Sequence, residues 1–333
     1  MNSSISVAKL EAQFIVGVDG GGSGTRARLC DLHGHVLGFG QAGPSGLGQG
    51  VEQAWVHIGQ AIAAAFHGAQ LSQPGPEQIA LGLGLAGSEV SAQSQAFFAQ
   101  APRYARVVLD NDGYTTVLGA HAGRPGVVVA AGTGTVGEVL RADGTRHRVS
   151  GWGWMVGDEG GGAWLGKHAM QHAMQACDGR APTGPLARAV WAKVAPPQDS
   201  DPNTVANLTN FASENILTWC AVAGQNQYAQ LAPLVFECAQ TDLAASGLLS
   251  AAVHELETIA AALDGDGCLP LVVCGSVGQR LLPLFKESTR QRCVSAAGDS
   301  ADGALLLIRQ ALGLPANLQT QQRSDIKPTE TSF

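Results

Sequence analysis

From Phe14 onward, short apolar runs alternate with glycine-rich breaks. FIVGVD (14–19) is an apolar run ending in an acid, and GGGSGT, TRARLCDL, the pair HG and HVLGFG follow it. That series predicts strand, glycine turn, strand, two-residue turn, strand. Val51, Trp55, Ile58, Ile62 and Phe66 then recur at spacings of three and four, one apolar face of a helix. IALGLGL (79–85) predicts a buried strand, SEVSAQSQAFFAQ a capped helix, and RVVLD (106–110) a strand leading into a helix at 113–120. Three adjacent strands followed by helix, strand, helix, strand predict an α/β fold with helices on the faces of a mixed sheet.

The pattern then restarts. GVVVAA (126–131), the turn GTGT and a strand around GEVL echo the opening hairpin, and a turn at ADG precedes a Trp-Gly segment. From about 160 to 265 the chain reads as mostly helical, with breaks at the prolines of 182–202. LPLVVC (269–274) predicts a strand, GSVGQRLLPLF a turn and helix, and DSADGALLLIRQAL a final helix. The polar residues beyond about 316 are expected to form a disordered tail.

Composition narrows the class. With 45% of 333 residues apolar and 14% charged, a sizeable core is available, and this length suits two domains. The net charge of −7, with no run of Lys or Arg, excludes a surface that tracks a nucleic-acid backbone. The first residues carry no basic start followed by an apolar stretch, and no 18-residue apolar run appears later, so a soluble cytoplasmic protein is expected. Seven cysteines without a CxxC pair suit reduced thiols, with Cys274 read as a small buried hydrophobe.

Four clusters carry chemistry. In Asp19-Gly20-Gly21-Gly22-Ser23-Gly24-Thr25, glycines let backbone N–H groups converge on an anion, while Ser23 and Thr25 add hydroxyls. Asp19 is placed to hold Mg²⁺ through water; the competing reading is a plain glycine hairpin. Gly132-Thr133-Gly134-Thr135 repeats the context, and the two turns suggest a clamp on a triphosphate. Neither is a Rossmann fingerprint, because a strand follows where that motif needs a helix. Leu109-Asp110-Asn111-Asp112-Gly113 offers two carboxylates, one suited to accept a proton from an attacking hydroxyl and one expected as a helix N-cap. Gly151 to Gly161, GWGWMVGDEGG, pairs aromatic faces with acids that accept sugar hydroxyls, and one Trp is expected to anchor the loop.

Two patterns are decoys. Gly161 to Lys167 reads GxxxxGK, but His168 replaces the Ser or Thr of a P-loop, and His168 and His172 lack the glutamate of a zinc-protease motif.

Taken in order, VDGGGSGTR, GLAGSE, LDNDGYTTVLGAH, AAGTGT, GWGWMVGDEGGGAWLG, VVCGSV and ADGALLL resemble the motifs of the BadF/BadG-type ATPase and N-acetylglucosamine kinase family, from about 14 to 312. The resemblance implies two ribonuclease H-like domains of the actin/hexokinase kind flanking an ATP and sugar cleft. Residues 12–120 with 301–315 would form one, 121–300 the other, and 316–333 a tail. It further implies ATP and Mg²⁺ as cofactors, Gly20 to Thr25 and Gly132 to Thr135 as phosphate loops, and Gly275-Ser276 as the adenosine turn. Asp112 matches the catalytic base, since the step to Ala120 fits the family pattern, with Asp110 as a structural acid. Ser45, Trp152, Gly153 and Asp158 match sugar-site positions. Gly46 departs from the family's usual Asn, a hydroxyl ligand, which leaves the amino sugar open. The expected activity is phosphorylation of the 6-hydroxyl of N-acetylglucosamine, with glucosamine as the alternative. A homodimer, a 2-hydroxyacyl-CoA dehydratase activator and a sugar sensor remain rivals or additions; the activator needs cysteines gathered around an iron–sulfur cluster.

Overall fold

The computed structural model describes residues 12–194, 215–316 and 318. The expected disordered tail lies almost wholly outside these residues, as do part of the proline-rich stretch and the chain before Ala12. The described residues separate into two compact units, one formed by those up to Pro125 with those from Ser295 on, the other by those within Gly126–Val294.

In the first unit the apolar runs become strands β1 (Phe14–Gly20), β2 (Thr25–Asp31), β3 (Val36–Ala42), β4 (Ile79–Leu85) and β5 (Arg106–Asp110). Their order is β3-β2-β1-β4-β5; β1 to β3 form an antiparallel meander, and β4 and β5 run parallel to β1. Every residue of β4 is buried, as a continuous apolar run requires of a strand covered on both faces. Helix α1 (Val51–Gly68) lays Trp55, Ile58, Ile62 and Phe66 on the sheet, and α2 (Ser91–Ala99) adds Phe97, stacked on Trp55 at 4.1 Å between ring centres. The expected side-chain cap on α2 is absent, because residues 87–90 form a turn closed by the Val90 N–H on the Gly87 carbonyl.

Helix α3 (Asp112–Ala120) follows β5. The second unit contains β6 (Gly126–Ala131), β7 (Thr135–Leu140), β8 (Arg146–Ser150) and β9 (Leu271–Cys274) in the order β8-β7-β6-β9. Strand β8 was not expected from the sequence. Its segment RHRVS is an exposed edge without apolar alternation, and it is a strand through its backbone pairing with β7. Helices α4 (Gly162–Cys177), α5 (Pro185–Val194), α6 (Gln225–Ala229), α7 (Ala232–Cys238), α8 (Leu243–Leu263), α9 (Ser276–Leu281) and α10 (Glu287–Arg290) complete the unit. Its core gathers Val127, Val129, Leu165, Val235, Leu256 and Val273 among others.

Helix α11 (Ser300–Ala311) returns to the first unit. A Cβ on Gly303 would stand 1.7 Å from the Thr115 carbonyl oxygen, so α3 and α11 meet backbone to backbone. Arg28 of β2 pairs with Asp299, the N-cap of α11, at 2.9 Å and also with Asp302. No described helix is long and apolar enough to cross a membrane.

Candidate active site

The first glycine turn is shaped by what its carbonyls bind. The Gly20 oxygen accepts the Ala86 N–H at 3.0 Å, the Gly21 oxygen accepts the N–H groups of Ser45 and Gly46 at 3.1 Å each, and the Gly22 oxygen accepts Gln49 Nε2 at 3.1 Å. With those carbonyls held, the amides of Gly22, Ser23 and Gly24 carry no bond to any other described residue, and Ser23 is exposed. An open row of amides is the arrangement that receives an anion.

Two expectations are corrected here. Thr25 and Ser45 were expected to offer hydroxyls to phosphate and to sugar; both are buried, and Thr25 Oγ1 bonds to the Gly43 carbonyl at 2.6 Å and to Ser45 Oγ at 2.7 Å. The cause is the strand pleat, which puts Thr25 on the same inward face as Ala27 and Leu29. They brace the turn from beneath.

Asp19 stands opposite Arg26 in the β1–β2 register, and the guanidinium grips its Oδ2 through Nη2 and through Nε at 3.0 Å. Oδ1 has no described partner. Asp112 is the first residue of α3, where its Oδ1 accepts the Gly113 N–H at 3.0 Å. Burial, and then the negative charge of Asp19, push its carboxyl above the ordinary carboxylate range. Neither acid of this segment is the N-cap. Asn111 caps α3 by accepting the Tyr114 N–H at 2.7 Å, while Asp110 accepts the Asn111 N–H at 2.8 Å.

In the second unit the turn is held by a helix. The Gly132 oxygen accepts the Gly162 N–H at 2.7 Å and the Thr133 oxygen accepts the Ala163 N–H at 2.9 Å, both from the first turn of α4. Gly275 lies beside this turn. Its φ of +81° and the 2.3 Å that would separate a Cβ from the Ala131 oxygen restrict the position to glycine, and exposed Ser276 then opens α9. Along the Trp-Gly loop, Trp152 is 79% exposed whereas Asp158 is 6% exposed. The Asp158 carboxylate accepts the Gly153 N–H at 3.3 Å and Gln225 Nε2 at 3.2 Å, and the nearby Thr135 amide favours its charged form. Burial pushes its carboxyl up, and the Gly153 and Thr135 amides offset part of that rise. Trp154, 5.5 Å from the Tyr228 ring, is the tryptophan that anchors the loop.

Asp19, the first turn and Asp112 thus lie in one unit. The second turn, Gly275-Ser276, Gly153 and Asp158 lie in the other. The BadF/BadG/BcrA/BcrD ATPase family model matches residues 16–281, which include all of these positions. The chain belongs to this family.

The similarity extends to individual relatives. Glucosamine kinase GspK of Vibrio cholerae is 31% identical over 294 residues, 88% of this chain and 95% of its own length. The N-acetylmuramic acid/N-acetylglucosamine kinase of Clostridium acetobutylicum is 27% identical over 171 residues, 50% and 56% of the two chains. The crystal structure of a candidate N-acetylglucosamine kinase from Chromobacterium violaceum superposes with a TM-score of 0.82 at 41% identity, covering 90% of this chain and 99% of that one.

In this member of the BadF/BadG/BcrA/BcrD ATPase family, three residues that brace candidate site groups carried no reading from the sequence: Arg26, Gln49 and Gln225. Arg26 had a signal, since closing the hairpin at Gly20 and Thr25 sets Asp19 opposite it. The glutamines act across 27 and 67 residues of chain and had none. The GxxxxGK segment is the opening of α4, and His168 faces the Trp164 carbonyl at 2.8 Å. Among the described residues no three His, Cys, Asp or Glu side chains gather as a metal site.

Proposed function

We propose that this chain is a cytoplasmic, ATP- and Mg²⁺-dependent amino-sugar kinase that phosphorylates the 6-hydroxyl of N-acetylglucosamine. The observation that carries the proposal is Asp112, a carboxyl with raised proton affinity at the start of α3, next to Asp19 and its glycine turn. Family membership and the amino-sugar kinases among the relatives support it.

In this reading Asp112 accepts the proton of the sugar hydroxyl as its oxygen attacks the γ-phosphorus, and ADP leaves. The unpaired amides of Gly22, Ser23 and Gly24 and the Gly132–Gly134 turn, with Thr133 exposed at its tip, receive phosphate oxygens, while Gly275-Ser276 borders the adenosine. Asp19 fits a water-bridged Mg²⁺ because Oδ1 is unengaged, and the ion when bound neutralises phosphate charge. Gly153 and Trp152 face the sugar, and Asp158 holds the Gly153 amide from behind. The two-domain, ribonuclease H-like kinase architecture is part of the same proposal.

Glucosamine is a second acceptor reading, favoured by the relative of that name, which aligns over nearly its whole length. The decisive variant is Asp112→Asn. Turnover should fall by about 10²- to 10⁴-fold, the usual contribution of a general base, while nucleotide binding persists. Turnover within a few-fold of the parent protein would remove Asp112 from the mechanism.

A further inference from the structure

The loop between β8 and α4 keeps one carboxylate out of water among exposed neighbours. Asp158 is buried while Trp152, Met155 and Val156 project into solvent, and its φ of 57° is uncommon for a residue with a side chain. Each contact of that carboxylate leads to a different segment. The Gly153 N–H on Oδ1 belongs to the loop, the Gln225 carboxamide on Oδ2 opens α6, and Gly134, against which Oδ2 lies, belongs to the glycine turn. The group lies flat against the turn. A Cβ on Gly134 would stand 2.3 Å from Asp158 Oδ2 and 3.3 Å from Gln225 Nε2.

We propose that Gln225 is a positioning residue which, through Asp158, couples occupancy of the Trp152–Asp158 loop by an acceptor sugar to occupancy of the Gly132–Thr135 turn by nucleotide. The inference rests on the kinase reading above. A carboxylate bonded to Gly153 and Gln225 and pressed against Gly134 cannot rotate without moving at least one of them, so a shift of Gly153 around a sugar is transmitted to the glycine turn. Gln225 is the donor that belongs to neither ligand-facing segment, and it fixes the plane in which the carboxylate joins the other two. Without the carboxamide, Oδ2 turns to water or to a sugar hydroxyl and the loop moves independently of the turn. Nothing in the contact requires Gln225 for folding, because it is only half-buried and begins a five-residue helix.

The test measures the affinity of a fluorescent ATP analogue with and without saturating N-acetylglucosamine, and separately glucosamine, for the full chain and for Gln225→Ala and Gln225→Met. Met keeps the length of the side chain and removes the donor, so it stands in should Ala disturb folding; thermal unfolding is followed in parallel. In the parent chain, sugar should tighten nucleotide binding by about five-fold or more, the lower range of measured couplings. In both variants nucleotide affinity without sugar should stay within about two-fold while the coupling falls to near one. Full coupling in a folded variant overturns the role of Gln225 and leaves the kinase reading intact. A parent chain that binds no nucleotide overturns that reading and the coupling with it.

Discussion

The two glycine turns of this chain share one frame and are held by different means. In each unit an apolar strand delivers the turn, an antiparallel meander leads away from it, and a parallel strand lies on the other side, β4 beside β1 and β9 beside β6. Even the ends of the parallel strands correspond. Ala86-Gly87-Ser88 follows β4 and Gly275-Ser276 follows β9, with both glycines at positive φ. The first turn is fastened by a loop, through the amides of Ser45 and Gly46, the side chain of Gln49 and the buried hydroxyl of Thr25. The second is fastened by the first turn of α4, whose N–H groups a helix leaves unpaired in any case. A turn held by a loop can be altered through single side chains; a turn held by helix amides resists such changes.

The largest effect should fall on chemistry, which the proposed mechanism assigns to Asp112 of the first unit. Asp112→Asn should remove about two to four decades of turnover, and the pH profile gives an independent sign. A carboxyl with a raised pKa stays protonated to higher pH than usual, so turnover should drop as pH falls through that value, and the Asn variant should lack this limb. The same shift means that ionised Asp112 opposes folding above its folded-state pKa, so thermal stability of the Asn variant at neutral pH should equal or exceed that of the parent.

Gly275→Ala comes next. It combines a left-handed backbone with a 2.3 Å approach to Ala131, and calorimetry or chemical denaturation should register a loss of at least about 1–3 kcal/mol. Thr25→Val should cost about 1–3 kcal/mol by leaving buried acceptors unpaired beneath the first turn. Gln49→Ala should do least, weakening nucleotide binding by about two- to ten-fold, the worth of one hydrogen bond. Nucleotide binding left unchanged by Gln49→Ala would contradict the claim that the first turn can be altered through single side chains.

Much of this was readable in advance because the central strands are continuous apolar runs with glycine at their ends. FIVGVD, IALGLGL and GVVVAA became β1, β4 and β6 within a residue or two. β8 escaped because an edge strand need not bury a face, so its signal resides in its partner β7. The placement of Asp19 and the glycine turns was legible in the strand–turn–strand pattern, and that of Asp112 in the apolar strand that ends just before it. The orientation of Thr25 was available in the alternation of β2, since it shares a face with Ala27 and Leu29. Gln49 and Gln225 act through contacts that only the folded chain creates.

The most direct test of the central claim is ADP release from Mg²⁺-ATP with N-acetylglucosamine, glucosamine, N-acetylmannosamine or glucose at equal concentration, with the sugar product weighed by mass spectrometry. The account predicts a phosphorylated amino sugar, N-acetylglucosamine foremost, formed in step with ADP. No phosphosugar from any of the four, in a protein that binds ATP, would contradict it.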